Sequence, residues 1–100
     1  MSLPNVPVIL SPQAEDDFTD ILQYTLETWG ETQAYAYRAV LDKALLTIQH
    51  HPQIGHSHPE LSAAHRIFSA GQHLIIYRVS DAAVYVSRIL HERMDIGRHL

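Results

Sequence analysis

The sequence predicts an α+β fold: a helical hairpin packed on one face of a small, mostly antiparallel sheet, in the order β-α-α-β-β-β. Three observations predict it. His73 to Val79 (HLIIYRV) is apolar on both faces, with Leu74 and Ile76 pointing one way and Ile75, Tyr77 and Val79 the other. That is the pattern of a central strand with something packed on each side. After a short polar turn at Ser80 to Ala83, the run from Ala83 to Leu90 is rich in Val, Ile and Tyr, and so brief a connection pairs the two strands antiparallel. Upstream, two stretches of helical period are separated by little more than Trp29-Gly30, which forces the helices back on each other.

Val6 to Leu10 reads as a short strand, with Pro4 and Pro7 suiting the edge of a sheet. Ser11 is the expected cap of the first helix and Pro12 its first residue. Glu15, Asp16 and Asp17 fall near its first turn, where the helix dipole favours negative charge. Ala14, Phe18, Ile21, Leu22 and Thr25 form its buried stripe, and it is predicted to run to Glu27 or Thr28. Trp29 is expected to plug the core where the helix ends. The second helix begins at Glu31 or Thr32, with Thr32 a possible cap. It buries Ala34, Tyr37, Leu41, Ala44, Leu45 and Ile48, and stops near His50 because Pro52 cannot continue it. Pro52 to Pro59 is a loop. Leu61 to Ala64 leads into a strand at His65 to Ser69, and Ala70-Gly71-Gln72 turns into the central strand. With the helices on one face, the other face of the sheet is left partly apolar and awaits a partner.

One hundred residues, 46% of them hydrophobic, suit one domain spanning residues 1–100 with a modest core. No apolar run approaches a membrane span, and the N-terminus lacks the basic region and apolar length of a signal peptide. The absence of cysteine excludes disulfides and thiolate chemistry and fits a reducing cytoplasm. The net charge of −4 is uneven: residues 1–60 carry −6 and residues 61–100 carry +2. An acidic chain with a single lysine is poorly suited to general nucleic-acid binding, which rests on neutralising phosphates.

Eight histidines raise the question of a metal, with His50 and His51 at a helix end and His56-x-His58 in the loop after it. No cysteine helps and no acid falls at a recognised ligand spacing, so neither a metal site nor a cofactor is assigned. Arg66, Arg88 and His91 lie on or just past the strands and are expected to converge near one end of the sheet. An arginine to hold a phosphate and a histidine to move a proton make a minimal ribonuclease. The alternative is that these arginines simply pair with Asp or Glu. The tail after the last strand, with Arg93, Met94, Arg98 and His99, carries polar groups the fold does not require. It serves either to contact a target or to cap the sheet.

The ordered segments LSPQAEDDFTDILQYTLETWG, ETQAYAYRAVLDKALLTIQHHPQIG and HRIF, and above all SAGQHLIIYRV and SRILHERMDIGRHL, resemble ParE-type toxins of the RelE/ParE superfamily from bacterial type II toxin–antitoxin systems. The resemblance covers nearly the whole chain. It implies the β-α-α-β-β-β fold, a cytoplasmic toxin held in a hetero-oligomer by a ParD-like antitoxin, and DNA gyrase as a target poisoned by binding rather than by a reaction. RelE-like relatives instead cut mRNA on the ribosome. In that alternative Arg66 matches a nuclease arginine and His91 a terminal-strand base, but the lysine-rich region expected of RelE is missing. The third possibility is a relative that binds a partner without being toxic.

Overall fold

The computed structural model describes residues 6–99. Its elements are β1 (Val8–Leu10), α1 (Pro12–Trp29), α2 (Glu31–His50), β2 (His65–Ala70), β3 (His73–Val79), β4 (Val84–His91) and a single 3-10 turn at Ile96–Arg98. The sheet order is β1-β4-β3-β2, so β3 is interior and β1 forms an edge, as expected for it. Pro4, the other proline expected at that edge, lies outside the described residues. β1 runs parallel to β4, and the remaining pairs are antiparallel.

The chain turns from β1 into α1 at Ser11. Its hydroxyl accepts from the Ala14 N–H at 3.0 Å, capping the helix, and donates to the Ser87 carbonyl at 2.7 Å. Its N–H donates to Val86 of β4 at 2.9 Å. One side chain thus starts the helix and seats it against the sheet. α1 extends through Trp29 and Gly30 serves both helices, taking φ 94° while its N–H satisfies the Leu26 carbonyl. Thr32 is therefore inside α2 rather than its cap, because the left-handed glycine completes the reversal in one residue. Trp29 is no core plug: it is 71% exposed. The sharp turn leaves the last residue of α1 beyond the edge of the sheet it would have to cover.

The helix-side core joins Ala14, Leu41, Ala44 and Ile48 to Ile75, Tyr77, Val84, Val86 and Ile89. Each fully buried Leu or Ile there contributes about 2 kcal/mol from its transfer out of water. On the opposite face Ile67, Ile76 and Leu90 make a second cluster. That face is not left open for a partner, as its apolar strand residues suggested. Ile96 of the tail is buried in this cluster and Leu61 packs against it. The exposed large apolar side chains sit mostly on the helices instead, among them Tyr24, Trp29, Tyr35 and Leu46. Between Val86, opposite Tyr77, and Arg88, opposite Ile76, β4 carries Ser87 as an extra residue. This bulge shifts the alternation by one, so Ile89 rather than Arg88 joins Val84 and Val86 in the helix-side core.

Two tyrosines fasten the sheet to the loops. The Tyr77 hydroxyl, on a fully buried ring, donates to the Pro52 carbonyl at 2.8 Å and accepts from the Gly55 N–H at 2.9 Å, pinning the loop after α2. The Tyr37 hydroxyl accepts from the Gln72 N–H at 2.9 Å and bonds to His73 Nδ1, holding α2 on the β2–β3 turn. His73 meets the His91 ring edge-on at 5.3 Å between centroids. Burial, and then the neighbouring His91, push the His73 imidazole below its ordinary range, while Glu92 and Asp17 act in the opposite sense.

Two predictions follow from these contacts. Gly71 has φ 59°, and a Cβ there would lie 2.7 Å from the Tyr37 hydroxyl. Gly71→Ala is expected to cost about 2–3 kcal/mol in urea unfolding, through backbone strain plus displacement of Tyr37. Gly30→Ala, whose Cβ meets nothing within 4 Å, is expected to cost only the strain, about 1–3 kcal/mol, because φ 94° with ψ 177° is open almost to glycine alone. A Gly71→Ala loss of only about 1 kcal/mol would remove the Tyr37 contribution. The folded state favours neutral His73, so the unfolded chain binds its proton first as pH falls. The stability from this residue is complete above the unfolded value of about 6.5 and is lost as pH falls through the lower folded value. Urea midpoints measured from pH 7.5 to 5 are expected to fall with a slope that His73→Asn flattens, and an unchanged slope would refute the linkage.

Candidate functional site

The residues singled out in the sequence separate into two places. Arg66 stands opposite Tyr77 on the helix side of the sheet, and its guanidinium donates to the Gly55 carbonyl at 2.7 Å and the Gln53 carbonyl at 3.4 Å. His91 stands opposite His73, four residues along the same central strand. At strand rise that is a separation of about 13 Å between the two positions. Arg88, opposite Ile76, belongs to the other face. The three do not converge: β3 separates Arg66 on β2 from the other two, and Arg88 and His91, three residues apart on β4, face opposite sides of the sheet. His91 Nδ1 accepts from the Arg93 backbone N–H at 3.2 Å. A backbone N–H only donates, so Nδ1 is the acceptor in this contact.

Arg88 pairs with an acid, the alternative weighed for these arginines. β1 ends at Leu10, and among the described residues no strand lies beside the outer edge of β4 beyond Val86. α1 closes that edge. The Asp17 carboxylate accepts from the Ile89 N–H at 2.9 Å, and from Arg88 Nε and Nη2 at 2.8 and 2.9 Å. The hydrogen bond to Asp17 raises the Arg88 guanidinium above its ordinary range despite partial burial. Arg88 Nη1 reaches on to the His99 carbonyl at 2.9 Å. Asp17 was read from the sequence only as a residue favoured near a helix start. Its spacing of six from Ser11, the residue that starts α1 against β4, was the available signal for a second contact on that strand.

The tail residues Arg93, Met94, Arg98 and His99 lie on the turn after β4 and on and just after the 3-10 turn at Ile96–Arg98. Ile96 is buried beneath them, while Arg93, Met94 and Arg98 are exposed and His99 is partly covered. The Gly97 N–H donates to Glu60 and to Asp95, both at 3.1 Å. Arg98 makes a loose pair with Asp95 at 3.7 Å, and its side chain is 84% exposed. The tail is thus both a cap on the sheet and a carrier of outward-facing basic and thioether groups.

Two concavities border the helices. A cleft of about 720 Å³ lies where the hairpin tip overhangs the β2–β3 turn, with Tyr24, Trp29, Tyr37, Gln72, His73 and His91 in its walls. A shallower groove of about 480 Å³ runs between the helices over Phe18, Leu22, Leu26, Ala34 and Tyr35. Among the described residues, no three His, Asp or Glu side chains come together in an arrangement that would hold a metal ion. No helix of the described residues is long and apolar enough to cross a membrane.

Comparisons with known proteins agree with this architecture. A family model described as the ParE toxin of the type II toxin–antitoxin system parDE matches residues 8–96. Toxin ParE1 of Mycobacterium tuberculosis is 37% identical over 93 residues, covering 92% of this chain and 95% of that protein. Toxin ParE1 of Caulobacter vibrioides is 35% identical over 94 residues, covering 94% and 97%. Among solved structures, the chromosomal ParDE system from P. aeruginosa superposes with a TM-score of 0.73 at 15% identity, over 86% of this chain and 95% of that one. The RelBE2 toxin–antitoxin complex of Mycobacterium tuberculosis does so with 0.64 at 18%, over 90% and 94%. At those identities the structural likeness is one of fold, whereas the family match spans nearly every element described above. The chain belongs to the ParE toxin family of type II toxin–antitoxin systems.

Proposed function

We propose that this chain is a cytoplasmic toxin that inhibits DNA gyrase by binding it, and that a ParD-like antitoxin holds it inactive in a hetero-oligomer. The observation that carries the reading is the tail. Arg93, Met94 and Arg98 are exposed on a segment anchored from below by Ile96, so they are available to a target without loss of the fold. Basic and thioether side chains of this kind suit a protein surface, arginine for paired acceptors and methionine for irregular apolar contact. Binding rather than reaction is supported by the separation of Arg66, Arg88 and His91, each already engaged by the chain itself.

The antitoxin reading is supported by the helical hairpin. Its exposed Tyr24, Leu26, Trp29 and Tyr35 border the two concavities on a half of the chain that carries a charge of −6. An amphipathic segment with basic flanks complements such a surface, as a helix laid in a groove. Structures similar in fold include toxin–antitoxin complexes such as RelBE2 and YoeB-YefM.

The test is a supercoiling and cleavage assay with purified gyrase, ATP and relaxed plasmid, with and without the neighbour-encoded protein. Loss of supercoiling or accumulation of linear DNA is expected, reversed by the neighbour. The triple variant Arg93→Ala, Met94→Ala, Arg98→Ala is expected to stay folded and to inhibit at least about tenfold less well, the equivalent of ~1.4 kcal/mol of contact energy. Point substitutions are needed because removing residues 92–100 would also remove Ile96 from the back cluster. A folded, growth-inhibiting protein without effect on gyrase would overturn the target.

A further inference from the structure

Arg88 donates from all three of its guanidinium nitrogens. Two go to the oxygens of Asp17 at 2.8 and 2.9 Å, and the third goes to the His99 carbonyl at 2.9 Å. The group is planar, so fixing two of its N–H bonds on one carboxylate fixes the direction of the third. Asp17 is itself held, because it also accepts from the Ile89 N–H. The pair is mostly covered, with side-chain exposures of 20% and 15%. A short rigid linkage therefore runs from α1 through Arg88 to the far end of the tail.

The near end of the tail is tied separately. The Glu92 N–H donates to the Gln72 carbonyl and the Met94 N–H to the His91 carbonyl, each at 2.9 Å. Ile96 and the bond from Gly97 to Glu60 hold the middle. With the His99 carbonyl caught by Arg88, residues 92–99 form a loop closed at both ends. Without it the residues beyond Gly97 become an arm that pivots about Ile96, and any target must then bear the cost of ordering that arm.

We propose that Arg88 is a positioning residue for target contact: it orders the end of the tail so that Arg98 is held in one fixed arrangement relative to Arg93 and Met94. The proposal rests on the reading that the tail contacts the target. It replaces the catalytic role that the residue type suggested. Lysine keeps the charge beside Asp17 but has one nitrogen, and cannot hold the carboxylate and the His99 carbonyl in the same fixed fork.

The test uses the full chain with Arg88→Lys, and with Ile48→Val as a core control brought to the same melting loss by choice of temperature. In Arg88→Lys the amides of Gly97, Arg98 and His99 are expected to exchange roughly tenfold faster, and growth inhibition and gyrase inhibition to weaken roughly tenfold, the scale of one lost charge-assisted hydrogen bond. Ile48→Val is expected to keep both potency and tail protection. Should Arg88→Lys fail to fold, Asp17→Asn leaves the arginine in place but loosens its anchor, and is expected to shift exchange and potency in the same direction. Unchanged tail exchange, or faster exchange with full potency, overturns the proposal. Weaker growth inhibition from a chain whose wild type never affects gyrase leaves the positioning role standing and overturns only the target. A wild-type chain that does not inhibit growth overturns both.

Discussion

The Asp17 carboxylate is the group on which the arrangement of this small protein most depends. A three-residue strand cannot cover an eight-residue neighbour, and β1 leaves half of β4 with an open edge. Open edges expose unpaired N–H and C=O groups and invite association with other chains. Here α1 takes the place of the missing strand, with Ser11 bonded at Val86 and Ser87 and Asp17 at Ile89. Drawing a carboxylate out of water for this purpose is costly, and Arg88 offsets the cost with two parallel bonds. Breaking such a pair from one side costs up to about 3–5 kcal/mol when fully buried, and somewhat less at the partial exposure found here. The other ion pairs among the described residues, Arg38 with Asp42 and Arg98 with Asp95, are exposed and contribute little.

The two faces of the sheet are stabilised by different means. The helix side has a continuous core fed by both helices and three strands. The back has only Ile67, Ile76, Leu90 and whatever the chain can fold over them. Ile96 supplies that cover from beyond the last strand, which requires the chain to turn back immediately after His91. Asp95 assists by accepting from the Gly97 N–H, and Glu60 reaches in from the preceding loop to the same donor. The requirement to bury Ile96 is therefore what places Arg93, Met94 and Arg98 outside it. The surface chemistry of the tail is a by-product of its packing.

Much of this architecture was legible in the sequence, and the parts that were not share a cause. Ser11-Pro12, the apolar stripe from Ala14 to Thr25 and the two-sided run at Leu74 to Val79 act through neighbours close in sequence, so their periods and caps predicted them correctly. Trp29 and Thr32 were misread, and the face that Arg88 takes was not foreseen, because each depends on a backbone event with no strong local signature. At Gly30 a left-handed residue ends one helix and starts the next, which carries Trp29 into solvent and makes a cap at Thr32 unnecessary. At Ser87 a bulge shifts the strand by one residue, which takes Arg88 off the face of Val84 and Val86 and leaves it to pair with Asp17, 71 positions earlier in the chain. The family resemblance supplied the topology but could not say which of the tail's side chains pack and which face outward. That division followed only from seeing Ile96 on the second core.

The length of α1 separates two tasks that the chain performs with one helix. Asp17 and Trp29 are twelve residues apart, about 18 Å along the axis. At the N-terminal end Ala14 is buried against the sheet, while Ser11 and Asp17 complete the hydrogen bonding of β4 at its edge. At the C-terminal end it is apolar toward solvent, with Tyr24, Leu26 and Trp29 exposed beside the cleft and groove. A buried stripe alone would satisfy neither end, since the helix must meet an unpaired backbone at one and stand clear of the sheet at the other. Among the hydrogen bonds of the described residues, the Arg88 fork is the one that bonds both α1 and a residue beyond β4. Rigidity at the sheet edge and order in the tail thus share one side chain, and neither can be altered there without the other.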